Sequence, residues 1–355
     1  MTAIDLATLY RITDVDPDAP LRVLLRRFRE LSPSLPALVL SAAVAEGTEL
    51  GTGSADELRR VTARVDTYRR IAEHCATAHG ARAVKGVSLL ERYPDELLRG
   101  MGDLDLVLPD EPALWRAVAQ IMATHPVTEV AVSVIDGPQR HILATPRWSA
   151  EDPVLDPELK VDLTTFAFAG DFATVPLRAA LPADPVVADL LALADERTQR
   201  PFNVKDALDT MVLMGGAAAP SAADLAAAAR EFRLAPELWE LLQKTRELTG
   251  TPGESSWAGL PEAAAAETAL RTAAAANDAA AAPADTEARL AAGLPVYAFP
   301  LQFRSRPHWQ RAEIHRAAGC VLLRTPVSDH LLVGGGRVAV EDYHRALAAV
   351  GELPD

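Results

Sequence analysis

The stretch Gly100-Met101-Gly102-Asp103-Leu104-Asp105-Leu106-Val107-Leu108-Pro109 constrains this chain more than any other. It begins by alternating acid with leucine and ends wholly apolar, the pattern of an interior strand whose first residues stay in contact with water. On such a strand Asp103 and Asp105, at i and i+2, project from one face, close enough for their oxygens to share a hard cation. The glycines ahead of them let backbone approach an anionic group. Because the apolar run follows the acids, the order differs from haloacid-dehalogenase phosphatases and many sugar-nucleotide glycosyltransferases, where the acids end the strand.

The flanking sequence predicts an α+β domain. Helical spacing of Val61, Val65, Tyr68, Ile71, Ala72 and Cys75 marks a helix over 57–79, and further helices are expected over 87–98 and 111–124. Strands are expected at 82–84, 129–135, 140–145 and 159–168. In the last of these Leu159, Val161 and Leu163 alternate with Lys160, Asp162 and Thr164, giving one apolar and one polar face. Together these elements predict a small mixed sheet over residues 56–182, preceded by an N-terminal helical extension, 1–55. Helices at 186–198, 203–214, 221–232 and 236–249 would make a helical domain, 183–250. An Ala-rich linker or helical stretch, 251–293, leads to a small C-terminal α/β region, 294–355, with strands at 296–303, 320–324 and 330–333 and a helix at 340–350. Gly334-Gly335-Gly336 reads as a hairpin turn.

Composition narrows the function. A 355-residue chain with 49% hydrophobic and 24% charged residues is not disordered throughout. It has no apolar run long enough for a membrane helix. The first twenty residues hold acids and no basic stretch, which argues against a secretory signal. Cys75 and Cys320 are too few for a disulfide framework, so a reducing cytoplasm is expected. The net charge of −14, with no basic cluster, argues against a long nucleic acid as partner. The irregular spacing of His308, His315, Cys320 and His330 matches no zinc pattern. Only four basic residues are lysines, Lys85, Lys160, Lys205 and Lys244. Codon bias in an Ala- and Arg-rich chain is one explanation of their scarcity; under such a bias the surviving lysines are expected where a compact ammonium is needed and a guanidinium will not substitute.

A second motif precedes the acids. Lys85-Gly86-Val87-Ser88 enters a helix, where free N–H groups can meet an anion. With Asp162 on the polar face of a later strand, a third carboxylate is available to a metal site for nucleotidyl or phosphoryl transfer.

The stretch KGVSLLERYPDELLRGMGDLDLVLPD resembles the polymerase-beta-like nucleotidyltransferase superfamily, and within it a branch of uncharacterised bacterial nucleotidyltransferases. The resemblance rests on Lys85-Gly86, Tyr93-Pro94, Arg99 and Gly102-Asp103-Leu104-Asp105. It extends to Val161-Asp162-Leu163 and to Phe202–Asp209, which is similar to the branch's Lys-Asp signature, and it covers about residues 57–215. The chain has Lys85-Gly86 where the superfamily has Gly-Gly or Gly-Ser, and Thr164-Thr165 where the branch often has a histidine. The resemblance implies that Asp103, Asp105 and Asp162 hold one or two Mg²⁺ ions and carry catalysis. It implies that Lys85, Gly86, Ser88, Arg99 and Lys205 contact an NTP. The expected reaction moves NMP from the NTP to a hydroxyl or similar nucleophile on a small molecule or protein, releasing pyrophosphate. The alternatives are a non-catalytic nucleotide-binding or regulatory protein, and a toxin that modifies transfer RNA.

Overall fold

A computed structural model describes residues 4–275, 283–335 and 337–354. The chain is α+β and divides into two units, each assembled from three separate segments. One unit comprises Met1–Arg70, Val84–Gly102 and Ala167–Ala279, and the other Ile71–Ala83, Asp103–Phe166 and Ala280–Asp355. The blocks expected from the sequence follow chain order, whereas both units are discontinuous.

The first unit is helical. Helices α1 (Leu6–Ile12), α2 (Leu21–Leu31) and α3 (Pro36–Ala45) open it, followed by the long α4 (Thr52–His79), whose last turns count with the other unit. Phe28, Leu38 and Leu40 form its core with Tyr93, Leu97, Leu208 and Met211. After the short strand β1 (Arg82–Val84) comes α5 (Gly86–Leu90). The helix expected over 87–98 ends there. Pro94 cannot donate to a helical ladder and disfavours helix at the residue before it, and the Tyr93 hydroxyl is tied to Asp209 instead.

Three of the other helices of this unit start at side-chain caps. Asp184 accepts the N–H of Val186 ahead of α7 (Pro185–Asp195), where Pro185 needs no donor of its own. Asn203 and Asp206 form a reciprocal capping box on α8 (Val204–Gly215). Three more helices follow, α9 (Ala222–Phe232), α10 (Ala235–Thr249) and α11 (Leu260–Ala275).

The second unit is built on one sheet. Its strands after β1 are β2 (Leu104–Val107), β3 (Glu129–Asp136), β4 (Arg140–Trp148), β5 (Leu159–Thr164), β6 (Pro295–Phe303), β7 (Glu313–Ala317), β8 (Cys320–Arg324) and β9 (Ser328–Val333). Among the described residues the order is β1-β2-β5-β4-β3-β6-β9-β8-β7. Strands β2 and β5 run parallel, and from β5 onward neighbours are antiparallel. The C-terminal strands therefore extend the sheet that carries the acidic motif, through the β3–β6 pairing.

Register sorts the faces. Leu104, Leu106, Val161, Leu163, Ile142, Ala144, Val132 and Ala298 share one face, and each is at most 1% exposed. Helix α6 (Glu111–Thr124) packs on β4 and β5, and α12 (Thr286–Ala291) on β3 and β6. Helix α13 (Val340–Glu352) covers Leu322 and Leu331. Gly334 and Gly335 form a bend before α13 and, among the described residues, no strand follows β9, so they turn no hairpin there. Gly336 lies outside the described residues, as do residues 276–282 of the Ala-rich stretch.

Candidate active site

The face opposite the apolar one carries the acids. Asp105 and Asp162 are Cα partners across the parallel β2–β5 pair. Asp103 lies two residues before Asp105, so strand alternation turns it to the same side. Lys160 lies two residues before Asp162 and shares that face. Its ammonium is 2.9 Å from Asp103 Oδ2 and 3.7 Å from Asp162 Oδ2. The other oxygen of Asp162 accepts from the Thr145 hydroxyl at 2.6 Å. Side-chain exposures of 41% for Asp103, 34% for Lys160 and 22% for Asp162 make this a half-open surface that a solute can reach.

The electrostatics follow from that crowding. Burial alone would lower the Lys160 pKa, but the hydrogen bond and charge of Asp103, with the charges of Asp162 and Asp105, hold it above the usual lysine value. The ammonium is therefore firmly cationic. Arg147 sits opposite Lys160 on β4, and its guanidinium is 3.6 Å from Glu158.

Among the described residues no three acidic, histidine or cysteine side chains are grouped as a protein metal cage groups them. The donor chemistry nevertheless fits Mg²⁺. Carboxylate oxygens on a reachable face are hard ligands, and Mg²⁺ commonly takes only one or two protein carboxylates, with water and substrate phosphate completing its shell.

Lys85, Gly86 and Ser88 lie together in the first unit. The Lys85 backbone is at φ 54°, an uncommon region for a residue with a side chain. The strain is supported from 104 residues away, where Asp189 Oδ1 on α7 accepts the Lys85 N–H at 2.7 Å. The second Asp189 oxygen accepts from the Ser88 hydroxyl at 2.6 Å. Burial pushes the Asp189 pKa up to about 6, against the pull of both hydrogen bonds. The Lys85 ammonium meets Glu196 at 2.5 Å.

Arg99 and Lys205 also belong to the first unit, where they flank Asp209. The Arg99 guanidinium is only 4% exposed and donates to both Asp209 oxygens, at 2.6 and 2.7 Å. Tyr93 donates to the same carboxylate at 2.7 Å, and the Lys205 ammonium is 3.8 Å away. Burial lowers the Lys205 pKa, with the nearby Arg99 charge in support. Asp206 receives a two-pronged contact from Arg200, at 2.7 and 2.9 Å. Two carboxylates of the Lys-Asp signature thus neutralise buried or half-buried arginines.

The structure puts Asp103, Asp105 and Asp162 on one face around Lys160 without grouping the three carboxylates as a metal cage, places Lys85, Gly86 and Ser88 at the start of α5, and groups Arg99 with Lys205. Sequence reasoning missed the parts of Thr145, Asp189 and Glu196. Asp189 had a signal, a lone acid inside the apolar run Val186-Val187-Ala188-Asp189-Leu190-Leu191. Glu196 and Thr145 had none, since their partners are distant in sequence. Among known proteins, no family model, no curated protein and no solved structure matches the chain.

Proposed function

We propose that the chain is a metal-dependent nucleotidyltransferase that transfers NMP from an NTP to a hydroxyl or similar nucleophile and releases pyrophosphate. One observation carries the reading: the parallel register that pairs Asp105 with Asp162, with Asp103 on the same half-open face. Three carboxylates from two adjacent strands are what in-line attack on an α-phosphate needs, provided a cation completes the site.

In this reading Asp103 and Asp105 would hold Mg²⁺, with Asp162 as the third carboxylate available to it. The bound ion supplies Lewis-acid neutralisation of the charge that builds on the α-phosphate. Asp162, with one oxygen fixed by Thr145 and the other 3.7 Å from the Lys160 ammonium, would activate the acceptor hydroxyl either through the metal it completes or as the general base that takes its proton. Lys85, Gly86 and Ser88 are assigned to the triphosphate by the resemblance alone. Arg99 is better read as a brace, because its charge is satisfied by Asp209. The net charge of −14 favours a small molecule or a protein side chain over a long nucleic acid as acceptor.

The test is incubation of the full chain with α-labelled NTPs and Mg²⁺, reading pyrophosphate and transferred label. Asp103→Ala and Asp162→Asn should each reduce turnover by about two orders of magnitude or more. Turnover untouched by either change would refute the reading. NTP binding without turnover, unchanged in Asp103→Ala, would favour the non-catalytic alternative.

A further inference from the structure

Lys160 stands among the three carboxylates that the proposed function assigns to the metal. Its ammonium lies 2.9 Å from Asp103 and 3.7 Å from Asp162, and Asp105 is near enough for its charge to act on it. Of 35 basic residues only four are lysines, and the choice here has a physical reason. An ammonium is a compact point charge on a flexible stem and can swing away, whereas a guanidinium would lock two-pronged onto a carboxylate.

We propose that Lys160 is a resident counter-cation that a divalent ion must displace, so that metal binds weakly alone and strongly together with nucleotide. This rests on the nucleotidyltransferase reading. A lone divalent ion meets the lysine's repulsion and must break its ion pairs. Metal arriving with a triphosphate brings negative oxygens that the displaced ammonium can pair with. Lys160 thereby couples the two binding events, and the coupling is reciprocal: nucleotide tightens metal and metal tightens nucleotide by the same factor.

The probe is Mn²⁺, with free ion counted by electron paramagnetic resonance, with and without an NTP. The proteins are wild type, Lys160→Met and, as a second route to the same loss of charge, Lys160→Gln, each checked for folding by circular dichroism. Both variants should bind Mn²⁺ alone about tenfold or more tightly than wild type, from removal of one positive charge a few ångströms away. The nucleotide-induced gain in Mn²⁺ affinity should shrink by a similar factor. Wild-type binding that neither variant strengthens overturns the role of Lys160 and leaves the nucleotidyltransferase reading standing. Absence of Mn²⁺ binding in all three proteins, with or without NTP, overturns the metal-dependent reading and this inference with it.

Discussion

Arg99 and Asp209 form a buried ion pair whose removal should cost far more from one side than from both. The Asp209 side chain is fully buried and Arg99 is 4% exposed, joined by hydrogen bonds of 2.6 and 2.7 Å, with Tyr93 donating a third. Replacing Asp209 by Leu leaves the guanidinium without its counter-charge and the Tyr93 hydroxyl without its acceptor. A stranded buried charge of this kind costs about 3–5 kcal/mol. The double change Arg99→Met/Asp209→Leu removes both charges but strands the Tyr93 hydroxyl, worth about 1–3 kcal/mol, and leaves the Lys205 ammonium without the carboxylate 3.8 Å away. Adding Tyr93→Phe and Lys205→Met, which removes both stranded groups, should bring the loss to within about 1 kcal/mol of wild type. Equilibrium urea unfolding followed by circular dichroism measures each step. A loss under about 1 kcal/mol for Asp209→Leu, or a double variant costing the sum of the singles, would refute the argument. An Arg99→Met protein of wild-type stability but raised KM for NTP would show that Arg99 serves the phosphates after all.

Two further predictions concern the first unit. With its pKa raised from 3.8 to about 6 by burial, Asp189 binds its proton more tightly folded than unfolded. Its contribution is therefore present below about pH 4 and is lost as pH rises through 6, a change of up to about 3 kcal/mol. Asp189→Asn keeps an acceptor for Lys85 and a partner for Ser88 and should flatten that slope in unfolding measurements between pH 4 and 8; identical slopes in the two proteins would contradict the assignment. Gly170→Ala should destabilise well beyond the roughly 1 kcal/mol of a left-handed alanine, because at φ 64° its Cβ would lie 2.0 Å from the Val175 carbonyl oxygen. Gly250→Ala, at φ 77° with nothing within 4 Å, should cost only the conformational part, and equal thermal shifts for the pair would sink the steric account.

Much of the secondary structure could be read from the sequence because local signals and tertiary demands agree. The helix expected at 111–124 has those bounds, fixed by the Asp110 cap on Ala113 and the apolar stripe behind it. Strands β3, β4 and β8 follow runs of Val, Ile and Leu bounded by turn residues. Strand β7, Glu313-Ile314-His315-Arg316-Ala317, gave no such signal. As the last strand in the order it pairs only with β8 and buries no continuous apolar face. Sheet order was hidden for another reason. Nothing near Val296 announces that it pairs with Val134, more than 150 residues earlier.

The candidate site divides along the same line, and the division bears on how its residues should be ranked. Alternation on a strand is local physics, so Asp103 with Asp105, and Lys160 with Asp162, could each be assigned to a polar strand face before any coordinates, whereas the β2–β5 pairing that merges the two faces could not. Ion pairing between distant elements is not local. Arg99 and Lys205 resembled phosphate ligands because cations near an acidic motif invite that reading, yet both meet Asp209, which lies 110 residues beyond Arg99. The physical distinction is whether a charge is already satisfied inside the fold. Arg99 is buried and paired through both faces of its fork, and moving it to a ligand would strand Asp209. Lys160 is one-third exposed on a flexible stem, and its partners are the carboxylates that a divalent ion would take over. A cation that can leave without stranding its partners can exchange with a ligand, and one that cannot is part of the scaffold; by that criterion Lys160, rather than Arg99, is the basic residue whose replacement should change ligand binding while sparing the fold.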